Sequence, residues 1–398
     1  IVRGLHRLLG ECRSGRLTLD PKAEDVHTAI QSILRRKIGQ AADRLHTGRS
    51  RNDQVVTDLR LYCRKALHKL DGDLKRLERT ILSQAERAGS LILPGYTHLR
   101  HAQPLLAAHL LLSYLAVLER DRLRLKDAAQ RVNALPLGAG ALTGSALPLN
   151  RSAVARRLGF QSILDNSVDA VSARDFAVEI LAHLALLAVH LSRIAEDLLL
   201  FSTEAFGFVR FKERMLTGSS MMPQKQNPDF LELIRAQSAL IIGDLTAILT
   251  LLKGLPSGYQ RDLQLDKEIL FDGLDRMGAM LEVLSEGFRA LQWNPDRIAQ
   301  ALQDESLYAT DLAEYLVERG VAFAKAHRAV GRLLAYAQTH GQSLRDLPIA
   351  VWRRFSSVFT DRAKTLLDPK VSVERKRTFG STHPRQVREA IRRWKERL

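Results

Sequence analysis

The sequence predicts an all-α protein organised around a bundle of long helices, and three observations carry the prediction. Five stretches between about residues 52 and 291 repeat their apolar side chains at helical spacing over many turns. One of them, Ser172 to Phe201, is apolar nearly all round in its middle, which suits a helix with neighbours on every side. No stretch sustains strand alternation between hairpin turns, and no repeat of about 20–50 residues stands out.

The first long helix is expected from Asp53 to about Ala88, a run with no Pro and a single glycine, Gly72. The second is expected from Pro104 to Asn133, with Pro104 suited to a first helical turn. The apolar helix follows, then one from Asn227 to Lys253 and one from Asp262 to Leu291. Shorter helical patterns cover Ser306–Arg319 and Ala322–His340, and Asn294-Pro295 marks a boundary before them. Three parts result: an N-terminal helical domain over 1–48, a central helical bundle with its loops over 49–297, and a C-terminal helical domain over 298–398. So long a bundle with so apolar a helix completes its core against copies of itself, and a homo-oligomer is expected.

Composition narrows the class. With 398 residues the chain is too long for one ordinary core, and 45% hydrophobic with 26% charged residues excludes disordered and collagen-like chains. Cys12 and Cys63 are too few for a disulfide scaffold or a thiolate zinc site, so a reducing, cytoplasmic setting is expected. The longest apolar run, Ile180 to Leu191, is interrupted by His183 and His190 and falls short of the ~20 residues of a membrane span. The start, Ile1 to His6, has no apolar signal-peptide region, and it has no Met, so residues upstream are expected. The net charge of +16 is spread along the chain, densest from Val373 to Leu398, with neither zinc-finger spacing nor an aromatic RNA-binding strand. It reads as solvated helix faces, with a basic cleft for a polycarboxylate as its functional use, rather than as a nucleic-acid surface.

Four polar segments interrupt the helices, and loops on a rigid scaffold are where chemistry usually sits. His46-Thr47-Gly48-Arg49-Ser50-Arg51-Asn52-Asp53 precedes the first long helix, with Ser50 or Asn52 as its N-cap. Two guanidinium groups and small donors at a helix N-terminus suit a carboxylate or phosphate. In Pro94 to Pro104, Thr97, His98, His101 and Gln103 cluster in a loop before a helix, without the cysteine or carboxylate spacing of a metal site.

Thr217 to Asp229 is the most informative segment. Asn227 reads as an N-cap with Pro228 at the first helical position, so the positive end of a helix faces the loop. Ser219 and Ser220 lie in a Gly-Ser turn with Lys225 nearby, and a serine hydroxyl becomes a useful base when cations and amide dipoles stabilise its alkoxide. The fourth segment, Gly254 to Lys267, places Gln264 and Lys267 three apart, on one face of the expected helix, with Tyr259 at its mouth.

Together these segments resemble the fumarase/aspartase lyase superfamily. Gly218-Ser219-Ser220-Met221-Met222-Pro223-Gln224-Lys225-Gln226-Asn227-Pro228 is similar to its signature loop. Within it, His46–Asp53, Gly95–His98 with Ala102-Gln103-Pro104, Leu135–Leu142, Glu24–His27 and Gly254–Lys267 resemble the argininosuccinate lyase branch. The resemblance covers essentially the whole chain. It implies a homotetramer with a twenty-helix core, active sites assembled from three subunits, and no cofactor or metal. The implied reaction is reversible β-elimination of argininosuccinate to arginine and fumarate.

Carried over by motif, Ser219 is the base, and Lys225 and Asn227 steady the aci-carboxylate intermediate. His98, polarised by Glu232, is the acid, and family precedent also allows the two roles to be exchanged. Asn52, Thr97, Tyr259, Gln264 and Lys267 match substrate-contacting positions, with Ser50 and Arg51 beside them.

The chain departs from the family pattern at Arg100, Gln226 and Leu265, none of which removes a proposed catalytic group. The resemblance also implies an N-terminal segment of some tens of residues that contributes substrate contacts upstream of Ile1. Rival readings are another fumarate-releasing lyase such as adenylosuccinate lyase, a silent crystallin-like structural protein, and a nucleic-acid binder. The first would be separated by a substrate panel, and the last by the salt dependence of binding. The intact Ser219, Lys225, Asn227, His98 and Glu232 set speaks against a purely structural chain.

Overall fold

The computed structural model describes residues 1–398. Helices α1 (Val2–Arg13) and α2 (Val26–Ile38) open the chain, and α3 (Arg51–Ala88) is the first long one. Ser50 caps α3, and Gly89, with φ of +55°, ends it in the left-handed conformation that glycine adopts without strain. Strands β1 (Ile92–Thr97) and β2 (Arg100–Leu106) lead into α4 (Ala107–Val132). After β3 (Ala134–Leu135), α5 (Arg151–Leu158), β4 (Ser162–Ile163) and α6 (Ser167–Ser172) comes the apolar α7 (Asp175–Ser202). Strands β5 (Val209–Phe211), β6 (Thr217–Gly218) and β7 (Gln226–Asn227) precede α8 (Asp229–Leu252), and α9 (Asp266–Ala290) runs into β8 (Leu291–Trp293). The C-terminal helices are α10 (Pro295–Ala301), α11 (Ala309–Val317), α12 (Phe323–Thr339), α13 (Ile349–Phe355), α14 (Pro369–Glu374) and α15 (Pro384–Arg397). The all-α expectation holds, and the eight short strands form only two-stranded pairs: β1–β2, β3–β4, β5–β8 and β6–β7.

The chain folds as two units. The first comprises residues 1–66, 128–177 and 249–267; the second comprises 67–127, 178–248 and 268–398. In the first, α1 packs on α2 through Leu8, Ile33 and Leu34, and at Gly4 the approach is close: a Cβ there would stand 2.6 Å from Leu34 Cδ1, which would have to shift. In the second, Leu93 of the hairpin and Ala107 just after it join Phe208, Tyr308, Leu312, Leu333, Trp352 and Phe359 in one core. The hairpin is therefore seated on the C-terminal helices, so its tip projects from a rigid base.

Three expectations are corrected. Residues 94–104 are not a loop but most of the β1–β2 hairpin, and Pro104 lies in β2 opposite Pro94 rather than in a helix. Prolines cannot donate to a ladder, and this pair needs no donor from either. Helix α8 starts at Asp229, because Asn227 is drawn into β7 opposite Thr217 and so cannot cap it. Helix α9 starts at Asp266, after a 3-10 turn over Arg261–Gln264, so Gln264 and Lys267 do not share a helical face. At α3, of the two expected cap candidates, Ser50 is the cap and Asn52 lies inside the first turn.

Considered as whole helices, α7 and α8 are both long and apolar enough to cross a membrane, so the interrupted run from Ile180 to Leu191 understated α7. Half of the most apolar window of α7 is buried within this chain, against 22% for α8. On α7, His190 Nδ1 lies 2.6 Å from the carboxylate of Asp121, itself 1% exposed, a polar contact that a lipid-facing helix does not need. On α8, Leu233, Leu240, Ile242 and Leu249 remain exposed.

Gly95 sits at the irregularity of the hairpin, where a Cβ would come within 2.4 Å of the Gln103 carbonyl oxygen. Backbone cannot yield as a side-chain end can, so Gly95→Ala is expected to lower stability by about 1–3 kcal/mol, read from denaturant melts. An unchanged midpoint would show that the hairpin is looser than described.

Candidate active site

In the first unit Ser50, Arg51 and Asn52 lie at the start of α3. Ser50 Oγ accepts the Asn52 amide at 3.2 Å, while the Asp53 carboxylate reaches back to the Ser50 amide at 3.0 Å, a reciprocal cap. The other oxygen of Asp53 accepts the amides of Gly138 and Gly140, both at 2.9 Å. Asp53 is fully buried, and Gly138 and Gly140 have φ of +96° and +65°, so only glycine brings these amides to it without strain. The loop thus drawn over α3 meets Asn52, whose side-chain amide donates to Ala141 O at 3.3 Å.

Arg51 turns away from this loop. Its guanidinium contacts Asp25 at 2.5 Å and Thr28 Oγ1 at 2.6 Å, tying α2 to α3. Burial alone would raise the Asp25 carboxyl. The Thr28 amide and Arg51 outweigh it and hold the group at about 2.

Lys267 Nζ donates to Leu263 O at 3.1 Å and to Asp266 at 2.6 Å, and the other oxygen of Asp266 pairs with Arg174. Arg174 and Asp266 are both buried, so the ammonium group of Lys267 is anchored against a fixed ion pair. Tyr259 is half-buried just after Gly258, and Gln264 is exposed at the end of the 3-10 turn.

In the second unit the hairpin tip is a two-residue turn between Thr97 and Arg100. Its central residues, His98 and Leu99, have φ of +55° and +56° and are the only non-glycine residues with positive φ. Such turns match the twist of a hairpin, but for side chains other than Gly or Asn each such residue costs roughly 1–2 kcal/mol. Thr97 and His98 are exposed. Beneath the turn, Tyr96 Oη lies 2.9 Å from His101 Nε2, and His101 Nδ1 lies 2.5 Å from Asp304 Oδ2.

The signature loop is closed at its base by β6 and β7. Thr217 Oγ1 donates to Asp229, the first residue of α8, at 2.8 Å, and an acid there complements the helix dipole. Ser219 Oγ accepts the amides of Met221 and Met222 at 3.3 and 3.1 Å. Two amides aimed at one hydroxyl oxygen favour its ionised form. Lys225 is exposed on the same loop, and its amide donates to Met222 O at 3.1 Å. Asn227 is half-buried in β7, and Glu232 stands exposed on the first turn of α8. His98 and Glu232 are not hydrogen-bonded to each other within the chain.

Sequence reasoning missed Asp53, Asp229, Asp266 and Asp304 as groups that fix these loops. Asp53 had a local signal, the Ser50-to-Asp53 spacing of a capping box, whereas Arg174–Asp266 and His101–Asp304 join positions 92 and 203 residues apart and have none.

A family model described as "Lyase" matches residues 1–243, which makes the chain a member of a lyase family. A second, described as "Argininosuccinate lyase C-terminal", matches residues 306–374. The chain is 46% identical over 391 residues to the argininosuccinate lyase of Roseiflexus sp. (strain RS-1), covering 98% of this chain and 86% of that one. It is 45% identical over 399 residues to that of Chloroflexus aurantiacus (strain ATCC 29366 / DSM 635 / J-10-fl), covering 100% and 86%. The chain belongs to the argininosuccinate lyase family. Among solved structures it is similar to EDDS lyase in complex with formate, with TM-score 0.88, 26% identity and coverage of 100% and 80%. The fumarate lyase of Mesorhizobium sp. BNC1 shares the fold, with TM-score 0.78, 19% identity and coverage of 98% and 92%.

Asp53→Ala leaves three amides without their acceptor, and an unpaired buried donor costs about 1–3 kcal/mol. The variant is expected to lose exchange protection first at residues 138–140, measured by hydrogen exchange. Asp25 predicts an acid limb. Its folded-state value lies below its ordinary value of 3.8, so its stabilisation is complete above about 4 and is lost as pH falls towards 2. Asp25→Asn is expected to flatten the stability profile in that window and leave its shape near pH 7 unchanged.

Proposed function

We propose that this chain catalyses the reversible β-elimination of argininosuccinate to arginine and fumarate. The observation that carries the reading is the Ser219 hydroxyl lying under two amides in the closed signature loop, in a chain of this family. Ser219, as alkoxide, takes the proton from the succinyl carbon beside a carboxylate. The electron pair moves onto that carboxylate, and Lys225 and Asn227 steady the resulting aci-carboxylate. Its collapse forms the carbon–carbon double bond and breaks the bond to the guanidino nitrogen, which His98 protonates.

Each pre-oriented donor to the intermediate is worth about 3 kcal/mol, and the acid–base pair about 10²–10⁴-fold in rate. Asn52, Thr97, Tyr259, Gln264 and Lys267 hold the substrate, with Ser50 and Arg51 beside them, Arg51 fastened there by Asp25 and Thr28. Burial of the Arg174–Asp266 pair supports the Lys267 assignment, because it fixes where that ammonium stands.

The working form is a homotetramer in the cytoplasm. The exposed Leu233, Leu240, Ile242 and Leu249 of α8 support assembly, since a soluble helix this apolar needs cover. His98 and Glu232 are both exposed and not bonded to each other within the chain, which supports a pairing between copies. In that assembly the chain divides into an N-terminal part over 1–48, the bundle over 49–297 and a C-terminal part over 298–398.

The test is fumarate release from argininosuccinate, followed by ultraviolet absorbance, with adenylosuccinate in parallel. The parent is expected to act on argininosuccinate alone, and Ser219→Ala to lose at least about 10²-fold in kcat. Activity on adenylosuccinate only, or an unimpaired Ser219→Ala, would overturn the reading. Sedimentation of the parent is expected to give four copies. Leu240→Lys together with Leu249→Lys should release smaller species.

A further inference from the structure

The turn that carries His98 is held in a conformation its residues disfavour. Leu99, at φ of +56°, is 69% exposed, so its side chain gains little packing in return. Directly below, Tyr96 and His101 face each other across the hairpin and are hydrogen-bonded at 2.9 Å, and His101 continues to Asp304 at 2.5 Å. The direction of this chain follows from chemistry. An ionised Asp304 only accepts, so His101 Nδ1 carries the proton, and in the neutral ring Nε2 accepts from the Tyr96 hydroxyl. Burial works against ionisation of Asp304, but its bonds from His101 and Ser306 hold the carboxyl below its ordinary range. Burial raises the Tyr96 phenol, which keeps its proton.

Both ends are fixed. Asp304 Oδ1 accepts the Ser306 amide at 2.9 Å. The Tyr96 ring packs edge-on against Phe206, with centroids 5.3 Å apart.

We propose that Tyr96, His101 and Asp304 form a positioning clamp that holds the His98–Leu99 turn in its left-handed conformation and thereby sets where the His98 imidazole stands during proton transfer. The three are positioning residues. The proposal rests on His98 acting as the acid, and it adds the device that places it.

The test uses the full chain with His101→Ala, Leu99→Gly and the double variant, following hydrogen exchange across residues 92–106 together with fumarate release. His101→Ala is expected to speed exchange at the tip about tenfold or more. It is expected to lower kcat by about 10- to 100-fold, as misplacement of a reacting group by about an ångström does, with KM within about threefold. Assembly and melting temperature should stay close to those of the parent. Leu99→Gly gives the turn a residue at ease with positive φ, so the double variant should recover most of the lost protection and rate.

Asp304→Asn keeps an acceptor for the His101 proton and should cost less than Asp304→Ala. Unchanged exchange at the tip in His101→Ala would overturn the proposal. So would a loss spread over the whole second unit that Leu99→Gly does not relieve. If the parent released no fumarate from argininosuccinate, the acid role of His98 would fall, while the exchange measurements would still decide whether the clamp holds the turn.

Discussion

Asp53, itself fully buried, accepts three backbone amides, and removing it would leave all three without their acceptor, that of Gly140 in the interior. Carboxylates fasten the other candidate segments too, there through side-chain partners. Asp229 ties Thr217 to the first turn of α8, and Asp266 at the start of α9 holds Lys267 and Arg174. Asp304 holds His101 under the hairpin tip. Asp53, Asp229 and Asp266 also lie at helix starts, where the helix dipole favours a carboxylate. The loops proposed to bear the chemistry are therefore short spans between fixed points, which is what preorganised catalysis needs.

A second constraint comes from α8. Its apolar side chains exceed what this chain covers, and the proposed tetramer resolves that excess without a membrane. The same association gives His98 and Glu232 a way to meet. Stability and chemistry would then share one requirement, since the helices that complete the core also carry the loops that complete the site.

The helices were legible because periodicity survives over many turns: α3, α4, α7, α8 and α9 lie within a few residues of where spacing places them. Their starts were less so, because Asn227 was recruited by Thr217 across β6–β7, a partner ten residues away in sequence that no capping rule anticipates. The hairpin was hidden by its own composition. Pro104 read as the first turn of a helix, and His98-Leu99 lacks the Asn-Gly or Asp-Gly signature of such a turn. That mismatch is informative, since a turn built from residues that disfavour it survives only where its surroundings hold it. The site residues themselves came from motif resemblance, whereas the groups that fix them depend on contacts distant in sequence.

The most direct test of an active site shared among copies is to mix inactive variants. Ser219→Ala and His98→Asn chains, each silent alone, would be unfolded together, refolded and assayed for fumarate release from argininosuccinate. If the loop and the hairpin of one site come from different copies, some mixed assemblies contain sites with both groups intact, and activity returns. If the mixture stays as silent as its components while the parent regains activity after the same treatment, each site draws both groups from one chain, and the account of a shared site is wrong.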